Sequence, residues 1–313
     1  MPTDWKQTII DESPELPYGD EKDTLHTSPI EFSSNDTIER RGRGMWPGRG
    51  TQLFPHAERQ LFLLRHGFIG PGRFNPGSCF RDFSIWDNEF AEVRKTGLEL
   101  SGWSTTTIEK LGVCRLGIGI DFRPTKRAVD LDARRLHVKD CDVGIRWDCS
   151  GTGTVCRNDL SASVLGGGIA LDVVAPGRTF TVPKFYCEAQ KVAGIIHRSG
   201  EAKYCNVYAE QDRQDLDGDF QKDDLVPSFA ALGGSPTLID PDKISWLYQA
   251  PGVSVQCPPY ALDKAVGYFV FVRSDPRIDD YRDDYPIRAG ANARVLIIEE
   301  EWAPGKALQV SRN

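Results

Sequence analysis

The chain of 313 residues reads as an all-β protein, a parallel β-helix, on three observations. A glycine followed by an aliphatic residue recurs at Gly97, Gly117, Gly144, Gly168 and Gly194, at spacings of 20, 27, 24 and 26 residues. The positions behind each glycine alternate between apolar and mixed or polar side chains. No segment of the repeat has the length and period of an amphipathic helix. A recurrence of this size marks a solenoid of stacked coils rather than a closed globule, and the lack of helical segments removes the leucine-rich and helical solenoids.

The elements follow in order. Residues 1–28 are polar, Pro-rich and acidic, too poor in apolar side chains to fold alone, and read as an N-terminal arm, either a disordered tail or a docking peptide that orders on a larger assembly. Residues 29–212 form the solenoid, six to seven coils long. Behind the repeat glycines the first position is Leu98, Ile118, Ile145, Ile169 and Ile195, and the third is Leu100, Ile120, Trp147, Leu171 and His197. This period of two is a strand with one buried face, so Trp147 and His197 are expected to point inward. A second β-type run precedes each glycine, as in "ARRLHVKDCDV" and "DLSASVLGG". Each strand then pairs with its counterpart one coil on, about 4.8 Å away, and like side chains stack in columns. The glycines serve corners, where a positive φ is often needed. Aligned on them, Cys114 and Cys141 form a ladder of thiols.

From residue 213 the character changes. The charged "DRQDLDGDFQKDD" and the Pro/Gly-rich stretch after it form a linker, and two strands, Tyr268–Ser274 and Arg294–Trp302, define a small β-rich C-terminal domain through residue 313.

Composition limits the partners. The 38 basic and 45 acidic side chains give a net charge of −7, which disfavours nucleic acid and anionic membranes, both of which need clustered positive charge. No apolar run reaches the roughly 20 residues that span a bilayer, and the first residues lack the order of a secretory signal. The eight cysteines show neither CxxC nor zinc spacing, so buried thiols are expected; Cys149 and Cys156 are the one pair close enough in sequence to suggest a disulfide.

Chemistry is expected at the fourth position after each glycine: Ser101, Asp121, Asp148, Asp172 and Arg198. In one outward column, Asp121, Asp148 and Asp172 stand on consecutive rungs, close enough for each to raise the proton affinity of its neighbour. Neighbouring carboxylates suit retaining glycoside hydrolysis. With Arg198, Lys184 and Arg146 as basic partners, they also suit binding of a uronate, with Ca²⁺ as the one candidate ion. The plain alternative is a solvated polar face, or aspartates that bond turn amides. Asp87, Glu89 and Glu92 lie in an expected loop beside the groove, and Trp86 and Trp103 fall near loops, where an indole can stack on a sugar. "DLDGD" (Asp215–Asp219) alternates acids as calcium loops do, but Phe220 and Val226 stand where such a loop wants glycine and a closing acid. No resident cofactor or metal is therefore expected.

On the N-terminal side, Ile38–Arg49 followed by Gly50-Thr51-Gln52-Leu53 matches an early-coil pattern, and the later coils read strand, Gly-Ile, strand. Here the sequence resembles the pectate-lyase-like right-handed parallel β-helix family and is closest in character to bacteriophage tailspike proteins. The resemblance covers residues 29–212. It implies a virion-associated adhesion protein, homotrimeric, assembled in the host cytoplasm, touching other virion proteins and a host surface polysaccharide. The same family implies two alternatives: a polysaccharide lyase or glycoside hydrolase acting through the aspartate column, or a decoration protein without ligand. The chain departs from the pattern in its short lead-in, which lacks the amphipathic helix that usually caps the stack.

Overall fold

The computed structural model describes residues 78–86, 95–125, 127–151, 154–210, 226–244, 246–250 and a few positions beyond, with the backbone of short strands between 25 and 67 and between 268 and 311. Among the described residues there is no helix, and so none long and apolar enough to cross a membrane. The strands form two twelve-stranded sheets, parallel except at one terminal pair. Long strands (Cys79–Trp86, Trp103–Cys114, Arg127–Lys139, Thr154–Leu165, Phe180–Glu188) build the first sheet. Short ones (Thr96–Leu100, Ile118–Phe122, Val143–Asp148, Ile169–Ala175, Ala193–His197) build the second. The chain alternates between the sheets, each strand pairs with its counterpart one coil away, and the result is a β-solenoid of about five turns.

Both sheets continue beyond these turns. Ile30–Ser33 and Phe62–Gly67 extend the second on its N-terminal side. The boundary expected at 213 falls in residues 211–225, outside the described residues, and the pairing resumes after it. Phe229–Ala231 stacks on Ala193–His197, Trp246–Gln249 on Phe229–Ala231, and Ser235–Ile239 on Glu201–Cys205. Residues 229–249 are thus further rungs of the same stack, and the strands Tyr268–Val272 and Val295–Ile298 add to the second sheet in parallel. The N-terminal arm, apart from the strand pair Leu25–His26, and the remaining C-terminal residues lie outside the described residues.

Vertical stacking fills the core. Leu98, Ile120, Ile145, Leu171, Ile195, Phe229 and Leu247 share one column of the second sheet, all almost fully buried. Val113, Val138, Val164 and Cys187 form another in the first sheet. At about 1.5–3 kcal/mol for each fully buried aliphatic side chain, such columns supply most of the drive to stack. Trp103, Phe122, Trp147 and Phe180 pack as a chain of rings with centroids 4.2–5.8 Å apart. Asn158, fully buried, satisfies its neighbours: its Oδ1 accepts from Trp103 Nε1 (2.8 Å) and from the Leu131 amide (3.2 Å), and its Nδ2 donates to the Ala128 carbonyl.

The repeat glycines align differently from the spacing of "Gly-Ile". The column is Gly97, Gly119, Gly144, Ala170 and Gly194, so Gly117 and Gly168 lie two residues ahead of it. A slip of two keeps every side chain on its face, which is why alternation does not reveal it. Ile145 and Ile195 therefore share a column, whereas Ile118 and Ile169 belong to the neighbouring one with Val143 and Ala193. These glycines are needed for closeness. A Cβ on Gly119 would sit 2.5 Å from the Gly144 carbonyl oxygen and 3.0 Å from Val138. Positive φ in the turns between strands falls on other glycines, Gly166, Gly167, Gly177, Gly200 and Gly234, and elsewhere on residues with side chains. Positive φ recurs every fifth residue in the long strands, at Thr105, Lys110 and Arg115 and again at Asp130, Arg135 and Asp140. Each such residue bends the strand locally, so a long strand wraps the core where a short one lies flat.

Candidate functional site

The expected aspartate column does not form. In the second sheet the register runs Glu99, Asp121, Arg146, Asp172, Ile196, which puts an arginine between the two acids. Arg146 grips Asp121 with two hydrogen bonds, Nε to Oδ1 at 2.9 Å and Nη2 to Oδ2, and Arg123 adds a contact at 3.4 Å. Arg198 grips Asp172 the same way, at 2.6 and 3.1 Å. Asp121 and Asp172 are buried, at 1% and 7% exposure. Burial pushes the Asp121 carboxyl up, and the Arg146 guanidinium pulls it back toward the charged form. Asp148 stands level with Ala175, not with either acid, and its Oδ1 accepts from the amide and hydroxyl of Ser150, closing a turn. The three acids thus hold structure together, and Arg146 and Arg198 are spent on them.

The other sequence candidates scatter. Lys184 is exposed on the first sheet, level with Ser161. Trp103 is fully buried in the ring cluster. Trp86 is half-buried beneath the Arg115 guanidinium, 5.8 Å from its ring. Asp87, Glu89 and the Asp215–Asp219 stretch lie outside the described residues. His197 is interior, as expected; Nδ1 meets the Tyr204 hydroxyl at 2.9 Å and Nε2 the Gly200 carbonyl at 3.2 Å, and burial lowers its pKa. Trp147 likewise points inward and donates to the Pro176 carbonyl. Cys114 pairs with Lys139 rather than Cys141, and Cys149 and Cys156 are both free thiols. Among the described residues no group of three or more His, Cys, Asp or Glu side chains could hold a metal ion.

A stacked carboxylate pair does occur, on the first sheet. Thr107, Asp132, Asp159, Thr181 and Lys203 follow one another in a single column. Two residues earlier runs a parallel column of positive-φ positions, Thr105, Asp130, Arg157 and Thr179. The two columns line a groove of about 470 Å³. Asp132 and Asp159 stand directly opposite on adjacent strands, and neighbouring strands lie about 4.8 Å apart. Arg134 pairs with Asp132 at 3.3 Å. Burial, then the charges of Asp132 and Asp130, raise the proton affinity of Asp159, against a hydrogen bond from Thr181. The two acids therefore sit in different surroundings: Asp132 is paired with an exposed arginine, and Asp159 has its proton affinity raised by burial and by its acidic neighbours. That asymmetry is what acid/base work on a neutral polymer requires, while the four threonine hydroxyls and Arg157 offer hydrogen bonds to a polyhydroxylated chain.

Sequence reasoning missed this groove, although a signal was present. Thr105-x-Thr107, Asp130-x-Asp132, Arg157-x-Asp159 and Thr179-x-Thr181 are polar pairs around a buried middle residue, one per coil. These pairs lie in the long strands, away from the repeat glycines.

The fold and groove define a β-solenoid with a polar, carboxylate-bearing cleft on its long-strand wall. Comparison of the chain with protein-family models, with curated proteins and with solved structures found no match.

Proposed function

We propose that the protein is a tailspike-like adhesin whose long-strand wall holds a host surface polysaccharide in the Asp132–Asp159 groove. One observation carries the reading: two carboxylates in register on neighbouring rungs, inside a concave, threonine-lined cleft that crosses four coils. A cleft along a rigid solenoid suits a repetitive polymer, because successive coils offer similar groups at regular intervals to successive units of the ligand. The net charge of −7 favours a neutral or basic glycan over a polyanion. Homotrimeric assembly, attachment to other virion proteins and assembly in the host cytoplasm belong to the same proposal and rest on the sequence resemblance alone.

A second reading is favoured by the register of Asp132 and Asp159 on neighbouring strands, with the proton affinity of Asp159 raised: the groove cleaves the glycan it binds. In that reading Asp159 protonates the leaving oxygen as Asp132 attacks the anomeric carbon, and water deprotonated by Asp159 then breaks the bond from the sugar to Asp132, the rung spacing being near the separation of about 5–5.5 Å typical of retaining enzymes. The experiment is incubation with a panel of bacterial surface polysaccharides, reading binding by co-sedimentation and cleavage by new reducing ends. Binding that is lost in Asp132→Asn and Asp159→Asn supports the groove. Cleavage that falls about a hundredfold or more in each variant assigns hydrolysis. Binding unaffected by either substitution refutes the groove as the site.

A further inference from the structure

A second cluster lies on the first sheet, near the last coils. The pattern Tyr-x-Glu occurs there twice, at Tyr186-Cys187-Glu188 and Tyr208-Ala209-Glu210, and the two copies are in register, tyrosine on tyrosine and glutamate on glutamate. Each tyrosine hydroxyl donates to the glutamate two residues on. The rings stack, 5.1 Å between centroids and 14° from parallel.

The two copies differ in what covers them. The rung after Tyr208 brings Lys243 opposite it; the ammonium lies 5.7 Å from the Tyr208 ring centroid and pairs with Glu210, which draws the Glu210 carboxyl below its usual range. The chain thus fills one aromatic-and-carboxylate acceptor with its own lysine. On the other side, the rung before Tyr186 carries Ser163 opposite the ring and Leu165 opposite Glu188. Serine is too small to cover an aromatic face. Leu165 is the exposed large apolar side chain among the described residues, at 39%. Among those residues Glu188 meets the Tyr186 hydroxyl and no cation.

We propose that the outer face of Tyr186, the Glu188 carboxylate and Leu165 form a binding site for an alkylammonium group, and that its occupant is a lysine side chain of a partner protein. The ring face and the carboxylate take the charge as their copies one rung on take Lys243, and Leu165 takes the methylene stem that a lysine carries behind its charge. An amino sugar has no such stem and would leave Leu165 in water. The site shares no residue with the groove and stands or falls without it.

The test uses the full chain with tyrosine-selective labelling, titrated by NMR with Nα-acetyl-lysine methylamide. A saturable shift of the Tyr186 ring resonance is expected. Tyr186→Ala and Glu188→Gln should each weaken binding about two- to fivefold, and Tyr186→Phe, which keeps the ring, should weaken it less than Tyr186→Ala. The uncharged norleucine analogue should not bind. Circular dichroism of each variant separates lost binding from lost fold. An affinity unchanged by both Tyr186→Ala and Glu188→Gln overturns the site; glucosamine binding as tightly as the lysine probe overturns the lysine assignment.

Discussion

The two walls of the solenoid solve the same stacking problem with opposite side-chain economies. In the short-strand wall, Ala193–His197 and Phe229–Ala231 are buried at every position, and its ionic groups are neutralised in pairs, Asp121 by Arg146 and Asp172 by Arg198. In the long-strand wall, buried and exposed residues alternate, bends recur every fifth residue, and Asp132, Asp159 and Arg157 face the groove. An acid in the first setting is structural because it is buried and bonded to its arginine; an acid in the second is open to a ligand. Burial on both faces, more than residue type, decides which aspartates are free for chemistry.

The sharpest way to break this contrast is to remove one arginine from each wall. Arg146→Met leaves Asp121 buried without its partner and should cost about 3 kcal/mol in urea unfolding. Arg134→Met, which loses exposed contacts to Glu109 and Asp132, should cost under about 1 kcal/mol. Equal losses would erase the distinction. Next in size is Gly144→Ala: the added methyl would meet the Ala170 carbonyl oxygen and Val164, each at 2.8 Å, and an overpacked core of this kind should lose about 2 kcal/mol, read from the same unfolding curves.

A smaller effect follows from pH. Burial lowers the pKa of His197 in the folded state, so the unfolded chain binds its proton more readily. The stability held by neutral His197 is complete above its unfolded pKa, about 6.5, and is lost as pH falls below it, by up to about 1.4 kcal/mol per unit. Half-buried His137 acts with the same sign. Asp121 and Asp159, whose carboxyls are pushed up, act with the opposite sign, so the share of His197 is read as a difference: between pH 7.5 and 5 the unmodified chain should lose stability relative to His197→Asn, and identical slopes would exclude a contribution from His197. Smallest of all is the structural effect of the groove acids. Asp132→Asn and Asp159→Asn should move stability by no more than about 0.5 kcal/mol, even where ligand binding is lost.

How much of this was legible in the sequence depends on which strand is read. In the short strands alternation gave the face of Leu98, Ile145, Trp147 and His197 correctly. It was silent on register: in Gly117-Ile118-Gly119 either glycine satisfies the pattern, and choosing the first moved the inferred partner of Asp121 from Arg146 to Asp148. The bends in the long strands were not legible, because they fall on Thr105, Lys110, Asp130 and Arg135, residues whose identity does not announce a positive φ. Register shifts between Ala133 and Leu136 and between Asp159 and Ser161 further uncouple the count from one coil to the next. The site followed the register: stacked carboxylates were expected at Asp121, Asp148 and Asp172 of the short-strand wall, and the pair in register is Asp132 and Asp159 of the long-strand wall.

Everything specific in this account depends on that register, and one substitution tests it directly. Strand pairing puts Cys114 opposite Lys139, whereas alignment on Gly117 would put it opposite Cys141. Adjacent strands lie within the 4.4–6.8 Å Cα separation a disulfide needs, so Lys139→Cys, mildly oxidised and mapped by peptide mass spectrometry, should join Cys114 to the new cysteine at position 139. Recovery of Cys114 joined to Cys141 instead would contradict the register, and with it the Asp132–Asp159 groove.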